Sequence, residues 1–160
     1  MRIGIGRDIH KLVFGRDLIL GGVKIDYEKG LLGNSDADVL VHSVIDSILG
    51  AIGEKNIGYH FPDTDKKYKD ISSLYLLKNV CEKFILKKYK IINFDTVIIA
   101  EKPKLNVFLD EMKKNIANFL DIDYSLIGIK ATTNEGLGEI GHGNAIEAIS
   151  ICLLEEICEG

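Results

Sequence analysis

Apolar residues recur along the chain with two alternating periods. Over residues 2–7, Ile3 and Ile5 alternate with glycine and arginine, the period-two pattern of a strand that runs into Asp8. Residues 18–25 read as a short hairpin turning at Gly21 and Gly22. Further on, Val41, Val44, Ile45, Ile48, Leu49 and Ile52 recur at helical spacing and predict an amphipathic helix that stops near Gly53. Ser35 followed by Asp38 resembles a capping box, and Asp38, His42 and Asp46 share one helix face. Residues 58–65 are loop by composition. Ser72 or Ser73 starts a second predicted helix reaching Lys88, with Leu74, Leu77, Cys81, Phe84 and Ile85 on one stripe. Residues 89–100 predict a strand, 106–120 a helix with Phe108, Met112, Ile116 and Phe119 inward, and 125–131 another strand. Residues 132–143 form a glycine-rich loop. The stretch 144–157 stays open: Ile146, Ile149 and Leu153 suit a helix, and its β-branched content suits a strand. Helices alternating with strands predict an α/β or α+β fold with a mixed sheet, as one domain over residues 1–160.

Composition narrows the function classes. A net charge of -4 and only three arginines argue against a nucleic-acid partner. No apolar stretch is long enough to span a membrane, and no signal peptide is visible at Met1. Cys81, Cys152 and Cys158 are odd in number and lack CxxC spacing, which argues against a disulfide framework or a cysteine-zinc site.

The chemistry-bearing residues point to a metal beside bound phosphate. Asp8 and His10 leave a strand on the same face, as oxygen and nitrogen ligands for a divalent ion. Among the four histidines, His42 is the best third ligand, because it sits on a polar helix face with Asp46 one turn later to orient its ring. Three protein ligands and an open position make a catalytic arrangement; the same spacing also suits a histidine that packs and an aspartate that caps a turn. Gly33, Asn34 and Ser35 precede a helix, where free N–H groups favour an anion or simply form a cap. Lys130, Thr132, Thr133 and Glu135 offer phosphate contacts, with Glu135 suited to a hard cation. Phe61, Pro62, Asp63, Thr64 and Asp65 form a loop whose carboxylates suit a polyol or an Asx turn. His60 and His142 read as surface residues, and the charges of 101–114 as a solvated helix face.

These motifs occur in register with Gly21-Gly22, Ile57-Gly58 and the run from Ala100 through Pro103 to Lys104. Over essentially its whole length the sequence resembles the 2-C-methyl-D-erythritol 2,4-cyclodiphosphate synthase family of the non-mevalonate isoprenoid pathway. The resemblance implies a mixed four-stranded sheet with helices packed on one face, a strand at 144–157, and a homotrimer whose sheets face the three-fold axis. It implies active sites between subunits, with zinc on Asp8, His10 and His42 and Mg2+ or Mn2+ on Glu135 with the substrate diphosphate. The substrate would be 4-diphosphocytidyl-2-C-methyl-D-erythritol 2-phosphate, cyclised with release of CMP. Asn34 and Thr133 would take the catalytic positions. Ala100, Pro103, Lys104 and Leu105 would bind cytosine, Thr132 the phosphates, residues 61–65 the methylerythritol unit, and Ile9, Ser35, Asn56, Ile57 and Gly58 further parts of the substrate. Asp38 and Asp46 would support the ligands from behind. The compartment would be bacterial cytoplasm or plastid stroma.

Four positions depart from the family pattern. Asn34 replaces a histidine and Asn56 an aspartate, so both are neutral here. Glu139 and His142 stand where a phenylalanine and an arginine are usual, in the family's axial channel. The expected consequence is an active enzyme with altered ribose contacts and a weakened channel-anion site. A metal-dependent phosphohydrolase and a non-catalytic trimeric binding protein are the two alternatives.

Overall fold

The computed structural model describes residues 1–86 and 88–157; Cys158 and residue 87 of the second predicted helix lie outside these. Its centre is β7 (Ala145–Glu156), the stretch whose spacing alone suited helix or strand and which the resemblance implied to be a strand. Ile146, Ala148, Ser150, Cys152 and Leu154 alternate into the core, and antiparallel ladders form on both edges of the strand, with β1 (Arg2–Phe14) and β5 (Tyr89–Ile99). Pairing on both edges satisfies the backbone groups that a helix would have satisfied internally. β6 (Ile127–Thr132) adds parallel to β5.

The sheet has five strands, in the order β4-β1-β7-β5-β6, where four were expected. β1 continues past Asp8 to Phe14, so its last residues pair with the short edge strand β4 (Lys29–Leu31), Leu12 opposite Leu31. The hairpin β2 (Leu18–Leu20) and β3 (Val23–Ile25) is a separate two-stranded unit.

β1 inverts the simplest expectation for its alternating pattern. Its glycines, not its isoleucines, face the helices. α1 (Val39–Ala51) lies so close that a Cβ on Gly4 would fall 2.0 Å from Ser47 O, and one on Gly6 2.0 Å from Ser43 O. Only glycine permits that approach. Ile3 and Ile5 therefore occupy the opposite face and stay 71% and 67% exposed. On the packed side, Ser150 Oγ bonds Ser43 Oγ on α1 and Thr96 Oγ1 on β5, each at 2.8 Å, so these buried hydroxyls satisfy one another.

The remaining helices differ from their predicted extents. Asn56 caps a short helix α2 (Ile57–His60), within a stretch read mainly as loop. The second predicted helix is α3 (Ser73–Val80) followed by a π-turn over Cys81–Ile85. The third is α4 (Leu109–Leu120), entered through a 3-10 turn and burying Met112 and Ile116. The glycine-rich loop contains the short α5 (Gly138–Gly141). His60 is not a surface residue: its ring packs 5.3 Å from that of Phe84, and Nε2 lies 3.4 Å from Glu54 Oε2. Among the described residues, no helix is long and apolar enough to cross a membrane.

Asp38 caps α1, but not as support for a ligand. Its carboxylate is 0% exposed and accepts from Val41 N at 3.1 Å, Gly21 N at 3.0 Å and Gly22 N at 2.8 Å. It ties the β2–β3 turn to the helix start. Burial, then the charge of Asp36, pushes its carboxyl up to about 6, and the three N–H donors hold it from rising further.

A candidate metal centre and a second cleft

Asp8 and His10 leave β1 together on the helix side, two residues apart, and α1 brings His42 over them. One oxygen, Asp8 Oδ2, is central: His42 Nδ1 lies 2.9 Å from it and His10 Nε2 3.1 Å. The ligand atoms of the three residues all fall within 4.8 Å of one another.

The far nitrogen of each ring meets an oxygen. His10 Nδ1 lies 2.6 Å from Leu32 O, and His42 Nε2 lies 2.8 Å from Ser73 Oγ. With those nitrogens donating, His10 Nε2 and His42 Nδ1, which as N–H groups bond Asp8 Oδ2, can give up their protons and turn lone pairs to a divalent cation. Two imidazole lone pairs and an anionic oxygen converging on one point fit a divalent cation of the zinc type. The local charges shift both groups. Burial alone would raise the Asp8 carboxyl, but the hydrogen bonds and charges of His10 and His42 hold it well below the carboxylate range. Burial pulls His10 down, yet bonding to Asp8 and Leu32 O, with the charges of Asp8 and Asp63, leaves it raised.

The triad opens into a cleft of about 310 Å3. Asn34, Ser35, Asp46, Asn56, Ile57, Gly58, Phe61 and Asp63 line it, as the sequence reading expected, together with Arg7, Tyr68 and Leu76, which that reading missed. Phe61 is buried edge-on against Tyr68, their ring centroids 5.2 Å apart. Pro62 and Thr64 are exposed, and Asp65 caps the 3-10 turn over Lys66–Tyr68 by accepting from Lys67 N.

Two expected supports bond elsewhere. Asp46 accepts from Ile57 N at 2.7 Å and so holds the start of α2; its carboxyl is raised by burial, opposed by that bond. His42 is met instead by Ser73, whose hydroxyl bonds Asp36. Ser73 was legible only as a helix start and Asp36 only as part of a capping sequence. Ile9 points away from the triad, to the other face of β1, beside a different cleft with Glu139 and Asn144. There Glu139 accepts from Asn144 Nδ2 at 2.9 Å, and His142 is exposed.

The remaining site residues gather in a second cleft of about 340 Å3 that shares no lining residue with the first. Ala100, Pro103, Lys104, Leu105, Thr132 and Thr133 line it. Glu135 follows in a left-handed conformation (φ 51°), accepting from Thr133 Oγ1 at 3.2 Å. Glu101, read from sequence as part of a solvated helix face, lies instead in the bend after β5 and steadies this loop by accepting from Asn134 N at 2.7 Å and Gly136 N at 3.3 Å.

Comparisons with known proteins identify the family. The model of the YgbB family matches residues 1–155. A Clostridium acetobutylicum protein named 2-C-methyl-D-erythritol 2,4-cyclodiphosphate synthase is 61% identical over 154 residues, which cover 96% of this chain and 99% of that protein. A Clostridium perfringens protein of the same name is 58% identical over the same shares of the two chains. Among solved structures, the Plasmodium falciparum IspF CDP complex has a TM-score of 0.85 at 39% identity, over 98% of this chain and 97% of that one. The bifunctional IspDF from Campylobacter jejuni reaches 0.93 at 42% identity, over 98% of this chain but 42% of that longer one. The chain belongs to the YgbB family, which includes the 2-C-methyl-D-erythritol 2,4-cyclodiphosphate synthases.

Proposed function

We infer that the protein converts 4-diphosphocytidyl-2-C-methyl-D-erythritol 2-phosphate to 2-C-methyl-D-erythritol 2,4-cyclodiphosphate and CMP, a cyclising lyase reaction of isoprenoid precursor biosynthesis. The observation that carries this reading is the convergence of Asp8 Oδ2, His10 Nε2 and His42 Nδ1 beside a polar cleft, in a chain of this family. No side-chain nucleophile is required, because the attacking oxygen belongs to the substrate's own 2-phosphate. The protein's task is to hold two phosphates in line and to meet the charge that spreads over them.

Asp8, His10 and His42 hold zinc in this reading. Glu135, exposed and already bonded by Thr133, holds Mg2+ or Mn2+ together with substrate oxygens. When bound, such ions supply Lewis-acid polarisation of phosphoryl oxygens. The N–H groups and side chains of Asn34 and Ser35 face one phosphate, and Thr132 and Thr133 another. The segment from Ala100 to Leu105 takes the cytosine, and Asn56 takes the ribose without a charge. Residues 61–65 cover the methylerythritol unit and keep water away, which favours ring closure over hydrolysis. Asn34 donates a hydrogen bond but brings no positive charge.

The active enzyme is a homotrimer in this proposal. Two observations support it. The metal and phosphate clefts are separate within one chain, so a neighbouring copy is needed to unite them. The outer sheet face also exposes Ile3, Ile5, Ile9 and Ile151 together, an apolar surface suited to burial against another copy. An Ile5→Glu protein is expected to sediment as a monomer and to lose CMP release, whereas a trimer of native activity would refute the arrangement. A cytoplasmic location completes the reading.

Incubation with the cytidine substrate and Mg2+, followed by phosphorus NMR, tests the reaction. A cyclic diphosphate with CMP is expected. Two phosphomonoester signals from a 2,4-bisphosphate, with CMP, would favour the phosphohydrolase alternative, and unaltered substrate the binding-protein alternative.

A further inference from the structure

Behind His42 runs a chain of hydrogen bonds that no step of the reaction uses directly. His42 Nε2 lies 2.8 Å from Ser73 Oγ and 3.3 Å from Ser35 Oγ, both buried. Ser73 Oγ bonds Asp36 Oδ1, while Asp36 Oδ2 accepts from Ser73 N at 2.9 Å and Oδ1 also accepts from Asp38 N at 3.2 Å.

The direction of this chain follows from its end. An ionised carboxylate only accepts, so the Ser73 hydroxyl donates to Asp36. Ser73 Oγ is then left as an acceptor toward His42, and the imidazole must donate from Nε2. A ring whose Nε2 proton is held by Ser73 is the one that, on giving up the Nδ1 proton that bonds Asp8 Oδ2, turns its Nδ1 lone pair to an ion. Ser35 is the weaker partner, being 3.3 Å away with its Oγ already accepting from Ala37 N.

We propose that Ser73 and Asp36 are positioning residues for the metal centre, a relay that holds His42 in the tautomer and ring orientation that present Nδ1 to the ion. This rests on the reading of Asp8, His10 and His42 as a divalent-metal site. The relay joins the first residue of α3 to the loop before α1, so packing of α3 also determines how His42 is aimed.

The test is zinc affinity at fixed pH, measured by competition with a chromophoric chelator, in the native, Ser73→Ala, Ser73→Thr and Asp36→Asn proteins. Ser73→Ala is expected to bind zinc about 10- to 100-fold more weakly, Asp36→Asn about tenfold, and Ser73→Thr within about threefold of native, because threonine keeps the hydroxyl. In the zinc-loaded native protein, the His42 Hε2 proton should resonate downfield and exchange slowly. It should move upfield and exchange faster in Ser73→Ala. Native affinity in Ser73→Ala overturns the relay, and so does weakened affinity with an unchanged Hε2 signal, which marks a merely structural serine. Should Ser73→Ala fail to fold, Asp36→Asn decides by the same two readouts. A native protein that takes up no zinc overturns the metal reading itself, and the relay with it.

Discussion

An Asp8→Ala protein is expected to release CMP at about one-thousandth of the native rate while keeping its fold. Asp8 Oδ2 is the atom to which both imidazoles point, and its carboxylate is the only anionic group of the triad. Its removal leaves two neutral nitrogens facing each other across the cleft, a donor set that holds a divalent ion far less firmly. The fold should survive because the strand is held by its backbone pairing with β7, where residue 8 sits opposite Ala148, and that ladder does not involve the carboxylate. CMP release, zinc stoichiometry and thermal unfolding, measured on one preparation, check the three parts of the expectation. A native rate of CMP release would refute a catalytic metal at this triad.

The second large effect lies on the same strand but concerns stability. Gly6→Val should cost about 3 kcal/mol or more and lower the melting temperature by about 10 °C. A Cβ at this position would lie 2.0 Å from Ser43 O and 2.5 Å from Ser47 N, both backbone atoms of a helix that cannot yield locally. α1 would have to lift from the sheet, separating His42 from Asp8 and His10 and disturbing the bond from Ser43 Oγ to Ser150. Metal affinity should therefore fall together with stability. Thermal unfolding that matches the native protein would show that the helix can shift without loss.

These two positions separate what local sequence makes legible from what it does not. The Asp8-x-His10 spacing places two ligands on one strand face because the period of a strand is two, and that inference needs no tertiary information. The helical spacing from Val41 to Ile52 similarly determines which way His42 can point. The length of β1, by contrast, depends on a partner strand arriving beside its end, so the fifth strand was not visible. The same limit applied to residues 144–157, where short-range periodicity suits a helix and a central strand equally, until pairing on both edges decides between them.

The supports of the site show the limit more sharply. Asp38 and Asp46 share a helix face with His42, and helical spacing made them the natural neighbours. Yet both carboxylates are occupied by backbone N–H groups from elsewhere in the chain, Gly21 and Gly22 for Asp38 and Ile57 for Asp46. His42 is held instead by Ser73, 31 residues away.

By itself, the sequence determined the ligand types, their shared strand and helix faces, the mixed α/β character and the family resemblance. All of these depend on residue identity and on spacings within one element or one motif. Tertiary structure alone decided which oxygen each imidazole faces, why glycine rather than isoleucine lies against α1, and that Ala100, Pro103, Lys104, Leu105, Thr132 and Thr133 form a cleft apart from Asp8, His10 and His42. Those outcomes depend on distances between segments remote along the chain, where hydrogen-bond donors and close-packed backbones must be satisfied together.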